Sequence, residues 1–180
     1  MNPYEVIANS DAVYLDTCAL VKIDAKEEPG SHLTRVLIYS SKVPVFSSFV
    51  GFGEFFSVVG KKTFQKVVGA EGFLFCCRKL MIDFDIKRIQ RAEPVKDRLK
   101  FIKLAQNLLP KHGHLGGGDV WHLMAALQLK SRVPMTTFVS FESDLVLAAL
   151  SEGLNAVDAS GLDSSKLSNQ LKVSKKLIAQ

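Results

Sequence analysis

Carboxylate side chains stand at several points where one segment of the chain ends and another begins. Asp16 follows the apolar run "AVYL", and Asp119 follows the glycine-rich stretch "HLGGG". Glu142 and Asp144 follow "TTFVSF", while Glu54 is the only charged residue between positions 43 and 60. Carboxylates that share a cleft repel one another, and a divalent cation that prefers oxygen ligands relieves the repulsion. The chemistry that these acids could perform together is metal-assisted hydrolysis.

The elements that would position these acids alternate between strands and helices. Runs of β-branched and aromatic residues predict strands at 12–16, 43–48, 134–140 and 155–158. Apolar residues at helical spacing predict helices at 30–42, 49–60, 63–82, 119–130 and 143–153, and Pro94 can open another. This alternation predicts an α/β fold with three α/β/α layers and a central parallel sheet. Ligands bind such sheets at the carboxyl ends of the strands, where most of these acids fall.

Each acid also has an ordinary structural explanation. Asp16, Asp119 and Asp144 could each cap the amino end of a helix, which is worth about 0.5–2 kcal/mol. Glu54 lies opposite the phenylalanine face of its helix and could simply be solvated. The histidines near Asp119 match no known zinc spacing. The acids therefore indicate a metal site only when they are considered together.

Composition favours one globular domain in a reducing compartment. With 180 residues, 47% of them hydrophobic, the chain can bury an ample core. Its net charge of +5 is a mild bias towards polyanions such as nucleic acid. Three cysteines in apolar surroundings argue against a disulfide framework and for the cytoplasm. The first residues do not resemble a signal peptide, and residues 43–60 barely reach spanning length, so we expect no membrane segment.

The domain organisation is simple. We expect one nuclease-like domain over residues 1–160, with no internal repeat. Residues 161–180 form a tail rich in serine and lysine, with a weak helical pattern at Leu167 and Leu171. The tail is either a helix or partly disordered.

The acidic segments, taken in order, resemble the four motifs of the PIN-domain nucleases over most of residues 12–158. "VYLDTCAL" is similar to the first motif, an apolar strand ending in Asp-Thr-Ser/Ala-x-Leu, and "VFSSFVGFGEFFSVV" to the second, a strand and then a helix bearing Glu. "GGGDVWHLMAALQL" is similar to the third motif and "VSFESDLVLAALSEGLNAVD" to the fourth. In the fourth, Glu142 and Ser140 stand where the family usually has Asp and Thr. Each motif alone is weak, but four in the right order are specific.

The resemblance implies roles for these residues. The implied catalytic residues are Asp16, Glu54, Asp119, Glu142 and Ser140, the last positioning a carboxylate or a water. The implied metal ligands are Asp16, Asp119 and Glu142, and Asp144 is close enough in sequence to replace or assist Glu142. The expected cofactor is Mg²⁺ or Mn²⁺, because both favour hard oxygen ligands.

The resemblance also implies an activity and partners. The activity is metal-dependent cleavage inside RNA that leaves 5′-phosphate and 3′-hydroxyl ends, with Lys61, Lys62 and Lys111 as candidate contacts to the RNA backbone. Many small PIN proteins are VapC-type toxins that dimerise and are inhibited by an antitoxin protein. We therefore expect a homodimer through helices 30–42 and 49–60, with an antitoxin as a candidate partner. The alternative is a catalytically inactive PIN-like domain that binds RNA or protein.

Overall fold

Short strands and longer helices alternate along the chain in the computed structural model. The structure describes residues 2–23, 30–93 and 98–177, and for residues 98 and 172–177 only the backbone. The strands are β1 (Ala12–Leu15), β2 (Val45–Ser47), β3 (Ile89–Arg91), β4 (Thr136–Ser140) and β5 (Asn155–Asp158). The helices are α1 (Pro3–Ala8), α2 (Thr17–Val21), α3 (Ser31–Arg35), α4 (Phe49–Phe64), α5 (Ala70–Asp85), α6 (Arg98–Leu108), α7 (Gly117–Lys130), α8 (Ser143–Ser151) and α9 (Ser164–Leu177). A π-helical segment, Val36–Ser40, continues α3.

The strands form one parallel sheet in the order β3-β2-β1-β4-β5. Tyr14 of β1 pairs with Phe138 of β4, and Ser47 at the end of β2 pairs with Arg91 of β3. Ser140 at the end of β4 pairs with Asp158 of β5. Because every strand runs in the same direction, all carboxyl ends meet at one edge of the sheet. The predicted α/β fold with three layers and a parallel sheet is therefore confirmed.

The two faces of the sheet each carry a hydrophobic core. Val13 and Leu15 of β1 point into a core on one face, whereas Tyr14 points into a core on the other, where its ring stacks on Phe138 at 5.5 Å. All residues of β1 and β4 are buried. A strand covered by helices on both faces reads as a continuous apolar run, which made β1 ("AVYL") predictable, whereas β4 ("TTFVS") was predictable from its β-branched and aromatic residues.

Three parts of the chain differ from the predictions. A single helix at 63–82 is wrong, because α4 runs to Phe64 and α5 begins only at Ala70. The chain turns between them, with Lys66 at a φ of 61°. Neither α1 nor β3 was predicted, and β3 has only one buried residue, Ile89, to mark it. Pro94, named as a helix start, lies outside the described residues, and α6 is described from Arg98.

Gly153 ends α8 as the sequence predicts. It has a φ of +80°, a backbone conformation that glycine adopts without steric cost. Its N–H donates to the carbonyl of Leu150, and the N–H of Leu154 donates to that of Ala149. This hydrogen-bond pair is a Schellman motif, which satisfies carbonyls at the helix end and turns the chain into β5.

The last described helix packs on the body of the protein. Leu167 and Leu171 of α9 are buried in the core that also contains Val13. The backbone N–H of Asp163 donates to the Tyr4 hydroxyl in α1. Within the part of the chain that the structure describes, no helix is both long and apolar enough to cross a membrane.

Candidate functional site

A cavity of about 270 Å³ opens at the carboxyl edge of the sheet. Its walls come from the ends of β1 and β4 and from helices α2, α4 and α7. The lining residues are Asp16, Thr17, Cys18, Glu54, Ser57, Val58, Asp119, His122 and Glu142. The structure thus brings together four of the five acids singled out in the sequence.

Asp16 is buried at the floor of this cavity, one residue beyond β1. Its Oδ1 accepts from the Ala19 backbone N–H at 2.8 Å and caps α2, while its Oδ2 accepts from the Ser140 hydroxyl at 2.5 Å. Burial raises the pKa of Asp16 from 3.8 to about 6, and the negative charge of Glu142 adds to the rise. Asp16 is therefore both a helix cap and a member of the site.

Glu54 reaches the cavity from the middle of α4. Its Oε2 accepts hydrogen bonds from the Thr17 hydroxyl and from His122 Nε2, the latter at 3.1 Å. The hydrogen bond with His122 is the largest cause that lowers the pKa of Glu54. A Cβ atom at Gly118 would overlap this carboxylate, so the missing side chain lets Glu54 approach the start of α7.

His122 and Tyr14 form a buried support behind Glu54. Tyr14 Oη lies 2.8 Å from His122 Nδ1, and His122 Nε2 lies 2.8 Å from the Thr17 hydroxyl. Burial raises the pKa of Tyr14. Because the ionised Glu54 carboxylate can only accept, His122 donates its Nε2–H to Glu54, and its Nδ1 faces the hydroxyls of Tyr14 and Ser48. His122 lines the cavity, but only 1% of it is exposed, so its ring is almost wholly enclosed by its neighbours.

Asp119 stands in the first turn of α7. Its Oδ2 accepts from the Gly116 backbone N–H at 3.0 Å. Burial, followed by the negative charges of Glu142 and Glu54, raises the pKa of Asp119. The two neighbouring carboxylates therefore disfavour the negative charge on Asp119.

Glu142 enters the cavity from the segment that follows β4. Its backbone N–H donates to the Ser140 hydroxyl at 3.0 Å, and its carboxylate accepts from the Cys18 thiol. Burial raises the pKa of Cys18, and the nearby acids add to the rise. Cys18 is therefore a thiol that donates to Glu142, not a reactive thiolate.

Asp144 does not line the cavity that contains the other four acids. It lines a separate cavity of about 290 Å³ with His112, His114, Leu147, Ala148 and Ser151. As the second residue of α8, it has left the strand edge and does not line the cavity around Asp16.

The three lysines fall into two places. Lys61 and Lys62 lie on α4, about one turn beyond Ser57 and Val58 in the cavity wall. Lys111 is ion-paired with Glu152, with Nζ 3.1 Å from Oε1, beside the second cavity. The structure therefore places two of the lysines next to the acidic cavity and the third away from it.

Sequence reasoning missed the supporting residues of the site. In the sequence, Tyr14 looks like an ordinary strand residue and Thr17 like a neighbour of the first motif, and His122 is one of the histidines near Asp119 that match no zinc spacing. The one available signal was a histidine on an otherwise apolar stretch of α7, where a buried imidazole needs hydrogen-bond partners.

The donor set suits a hard divalent cation, although its present arrangement is not a ligand shell. All four acids offer carboxylate oxygens to one cavity, and oxygen donors are what Mg²⁺ and Mn²⁺ prefer. Within the described ranges, no three histidine, cysteine, aspartate or glutamate side chains stand together as they would around an ion. Glu54 is turned towards His122 and Glu142 towards Cys18, so both would have to rotate.

Neither a scan against models of known protein families nor a search among curated proteins finds a match for this chain. The similarity to PIN-domain nucleases therefore rests on the four motifs alone.

Proposed function

We propose that this protein is a divalent-metal-dependent endoribonuclease of the PIN type. The observation that carries the proposal is the convergence of Asp16, Glu54, Asp119 and Glu142 on one open cavity at the carboxyl edge of a parallel sheet. These acids come from positions far apart in sequence. Burial raises the pKa of Asp16 and of Asp119, and neighbouring acids add to both rises. Carboxyl groups whose pKa is raised in an open cavity are typical of functional sites.

Different residues of the chain would bind the metal, position the acids and contact the RNA. Asp16, Asp119 and Glu142 would hold Mg²⁺ or Mn²⁺, which when bound makes a water more acidic and stabilises charge on a phosphodiester. Ser140 holds Asp16 by donating to its Oδ2 and accepts the N–H of Glu142, so it sets the spacing of two acids. His122 and Thr17 hold Glu54, whose lowered pKa keeps its carboxylate ionised at the wall of the cavity. Lys61 and Lys62 would contact the RNA backbone beyond that wall.

A second candidate function is an inactive PIN-like domain that binds RNA or protein. Two observations favour it. Within the described residues, no three potential ligand side chains stand ready around an ion, and Glu142 is longer than the aspartate usual in the family. The two candidates differ in one measurable property, which is cleavage.

The test is cleavage of end-labelled single-stranded RNA by the purified chain across a Mg²⁺ and Mn²⁺ titration. We expect 5′-phosphate products that are absent in EDTA and absent with Asp16→Asn or Asp119→Asn. Asp11→Asn is the matched control, because Asp11 is exposed and precedes β1 at the opposite edge of the sheet. RNA binding without cleavage would support the inactive domain. Full activity in both site variants would end the nuclease proposal.

The biological role that fits such a nuclease is the toxin of a toxin–antitoxin pair. Induced expression should then arrest growth, and Asp16→Asn expressed to the same level should not. Growth that is equally slow with both proteins would point to a burden of expression and against a toxin.

A further inference from the structure

Helix α5 carries an apolar stripe on its exposed side. Leu74, Phe75 and Ile82 are 50%, 64% and 53% exposed, and helical spacing of about 100° per residue places them within one sector about 100° wide. The opposite side of the helix buries Leu80 and Asp83 against the body of the protein. Exposed apolar surface of this kind marks an interaction site.

Opposite charges sit within the same sector. Glu71 lies one turn before the apolar centre of the stripe and Arg78 one turn after it. The two are seven residues apart, about 10 Å along the helix, which is too far for a direct ion pair. Within the described part of the chain, neither takes part in an ion pair.

We propose that this stripe binds a second copy of the same chain, with the two α5 helices antiparallel and the two-fold axis between Leu74 and Phe75. In that register Leu74 lies opposite the second copy's Phe75. Glu71 lies opposite the second copy's Arg78, and the reverse pair forms on the other side of the axis. A two-fold interface requires a surface that is complementary to itself, and the order Glu71, Leu74, Phe75, Arg78 meets that requirement.

Other arrangements of the same stripe are less favourable. A parallel pair would place Glu71 beside Glu71 and Arg78 beside Arg78. An antiparallel pair shifted to place Phe75 opposite Ile82 would put Arg78 opposite Lys79. Like charges at an interface cost free energy and exclude wrong registers. Charge therefore selects the axis between Leu74 and Phe75.

The surface beside the stripe is already organised to receive side chains. A cavity of about 480 Å³ lies along it, and Tyr39 and Arg88 form the far wall. The Tyr39 hydroxyl donates to Asp83 at 2.6 Å, and Arg88 pairs with the same carboxylate at 3.1 Å. A wall held in this way loses little conformational freedom when a partner binds.

The aromatic surface that suggested dimerisation through residues 49–60 is largely used within the chain. Phe52 and Phe56 of α4 contact each other, and Phe52 packs on Phe84 of α5 with ring centroids 4.0 Å apart. These rings fix α5 to α4 and so hold the stripe outwards. The proposed interface lies on α5, and the expected interface through helices 30–42 and 49–60 stays a prediction, because Phe49 of α4 remains 60% exposed.

Charge reversal with sedimentation equilibrium tests the interface directly. We expect the full-length wild type to dimerise at micromolar concentration. Glu71→Arg and Arg78→Glu should each raise the dimer dissociation constant at least tenfold, because each places like charges together twice. The double variant should return to within about threefold of wild type, since it restores both pairs with reversed polarity.

Two control variants distinguish loss of the dimer contact from loss of the folded structure. Phe75→Asp should give a monomer with an unchanged circular dichroism spectrum. Leu147→Asp, at a 63% exposed leucine on α8, should leave dimerisation unchanged. A wild-type monomer at high micromolar concentration, or a double variant as weak as the single ones, would overturn the proposal. None of these measurements depends on nuclease activity.

Discussion

At the scale of single residues, the site is a set of acids held by specific donors. Both oxygens of Asp16 are bound, Oδ1 by the Ala19 N–H and Oδ2 by the Ser140 hydroxyl. Burial still raises the pKa of Asp16 to about 6, so these hydrogen bonds do not fully compensate the lost hydration. The folded protein is thus less stable with this carboxylate ionised than protonated.

We predict that Asp16→Asn is more stable than wild type at neutral pH in EDTA. The folded pKa of about 6 lies above the usual 3.8, so the folded state binds the proton more tightly than the unfolded chain. The stabilising contribution of this group is therefore present below pH 3.8 and is lost as the pH rises through about 6. One pKa unit is about 1.4 kcal/mol, so we expect a gain of about 1–3 kcal/mol at pH 7.5 in urea unfolding.

The pH dependence gives the control for this prediction. The advantage of Asp16→Asn should shrink towards pH 4, where the wild-type carboxyl is protonated in the folded state. Asparagine retains an oxygen for the Ala19 N–H, so the cap on α2 is kept. An advantage that is the same at pH 4 and pH 7.5 would contradict the electrostatic explanation.

Substituting Glu142 and Asp144 by the corresponding amides can show which of the two is the fourth acid of the site. We predict that Glu142→Gln lowers metal-dependent cleavage at least tenfold, or about 1.4 kcal/mol, because Glu142 lines the acidic cavity. Asp144→Asn should keep near-normal activity, because Asp144 lines a different cavity; it is not the cap of α8, as the sequence had suggested, but lies inside the first turn. A paired assay across Mn²⁺ concentrations measures both. The reverse order of effects would make Asp144 the fourth acid.

At the scale of elements, the site depends on how closely α4 approaches the start of α7. Gly118 has no side chain where the Glu54 carboxylate lies, and Gly51 has none where a Cβ would come within 3.3 Å of His122. These two glycines therefore allow α4 to place the Glu54 carboxylate against the start of α7.

We predict that Gly118→Ala lowers cleavage at least tenfold, because the new Cβ must displace the Glu54 carboxylate. The matched control is Gly117→Ala in the same turn of α7, where a Cβ would meet no atom within 4 Å. That control should be neutral or more stable, because alanine favours helix over glycine by about 0.8–1.0 kcal/mol. Cleavage rates and thermal unfolding of both variants provide the measurement. Equal cleavage rates would contradict the inference that the proposed activity needs Glu54 held against α7.

At the scale of the whole molecule, a basic protein surrounds an acidic cavity. The net charge of +5 attracts a polyanion, while the carboxylates would repel phosphate unless a cation were bound. Basic side chains along α4 beyond the cavity would resolve this conflict by holding RNA next to the acids.

We predict that Lys61→Gln weakens single-stranded RNA binding in EDTA and reduces its salt dependence. Each phosphate contact that is lost should lower the slope of log K against log salt by about 0.7. Lys111→Gln should have a smaller effect, because Lys111 is paired with Glu152 beside another cavity. Fluorescence anisotropy at several salt concentrations measures both. A larger effect from Lys111 would move the RNA path to the second cavity.

The fully buried strands and the Gly153 helix stop could be predicted because their signals are local. A continuous apolar run such as "AVYL" has few other structures available, and a glycine at a helix end has a conformational cause. Strand β3 could not be predicted, because three residues with one buried side chain carry no period. Its place beside β2 comes from pairing with Val45 and Ser47, which the segment itself does not encode.

For the candidate site, the sequence by itself determined which acids were available and that most of them follow strands or begin helices. Only the tertiary structure decided which ones meet, because that depends on contacts between residues far apart in the chain. Tyr14 and His122 are 108 positions apart, yet they lie 2.8 Å from each other and orient the ring that holds Glu54. Glu142 and Asp144 are two residues apart and face different cavities, because the chain changes from strand edge to helix between them.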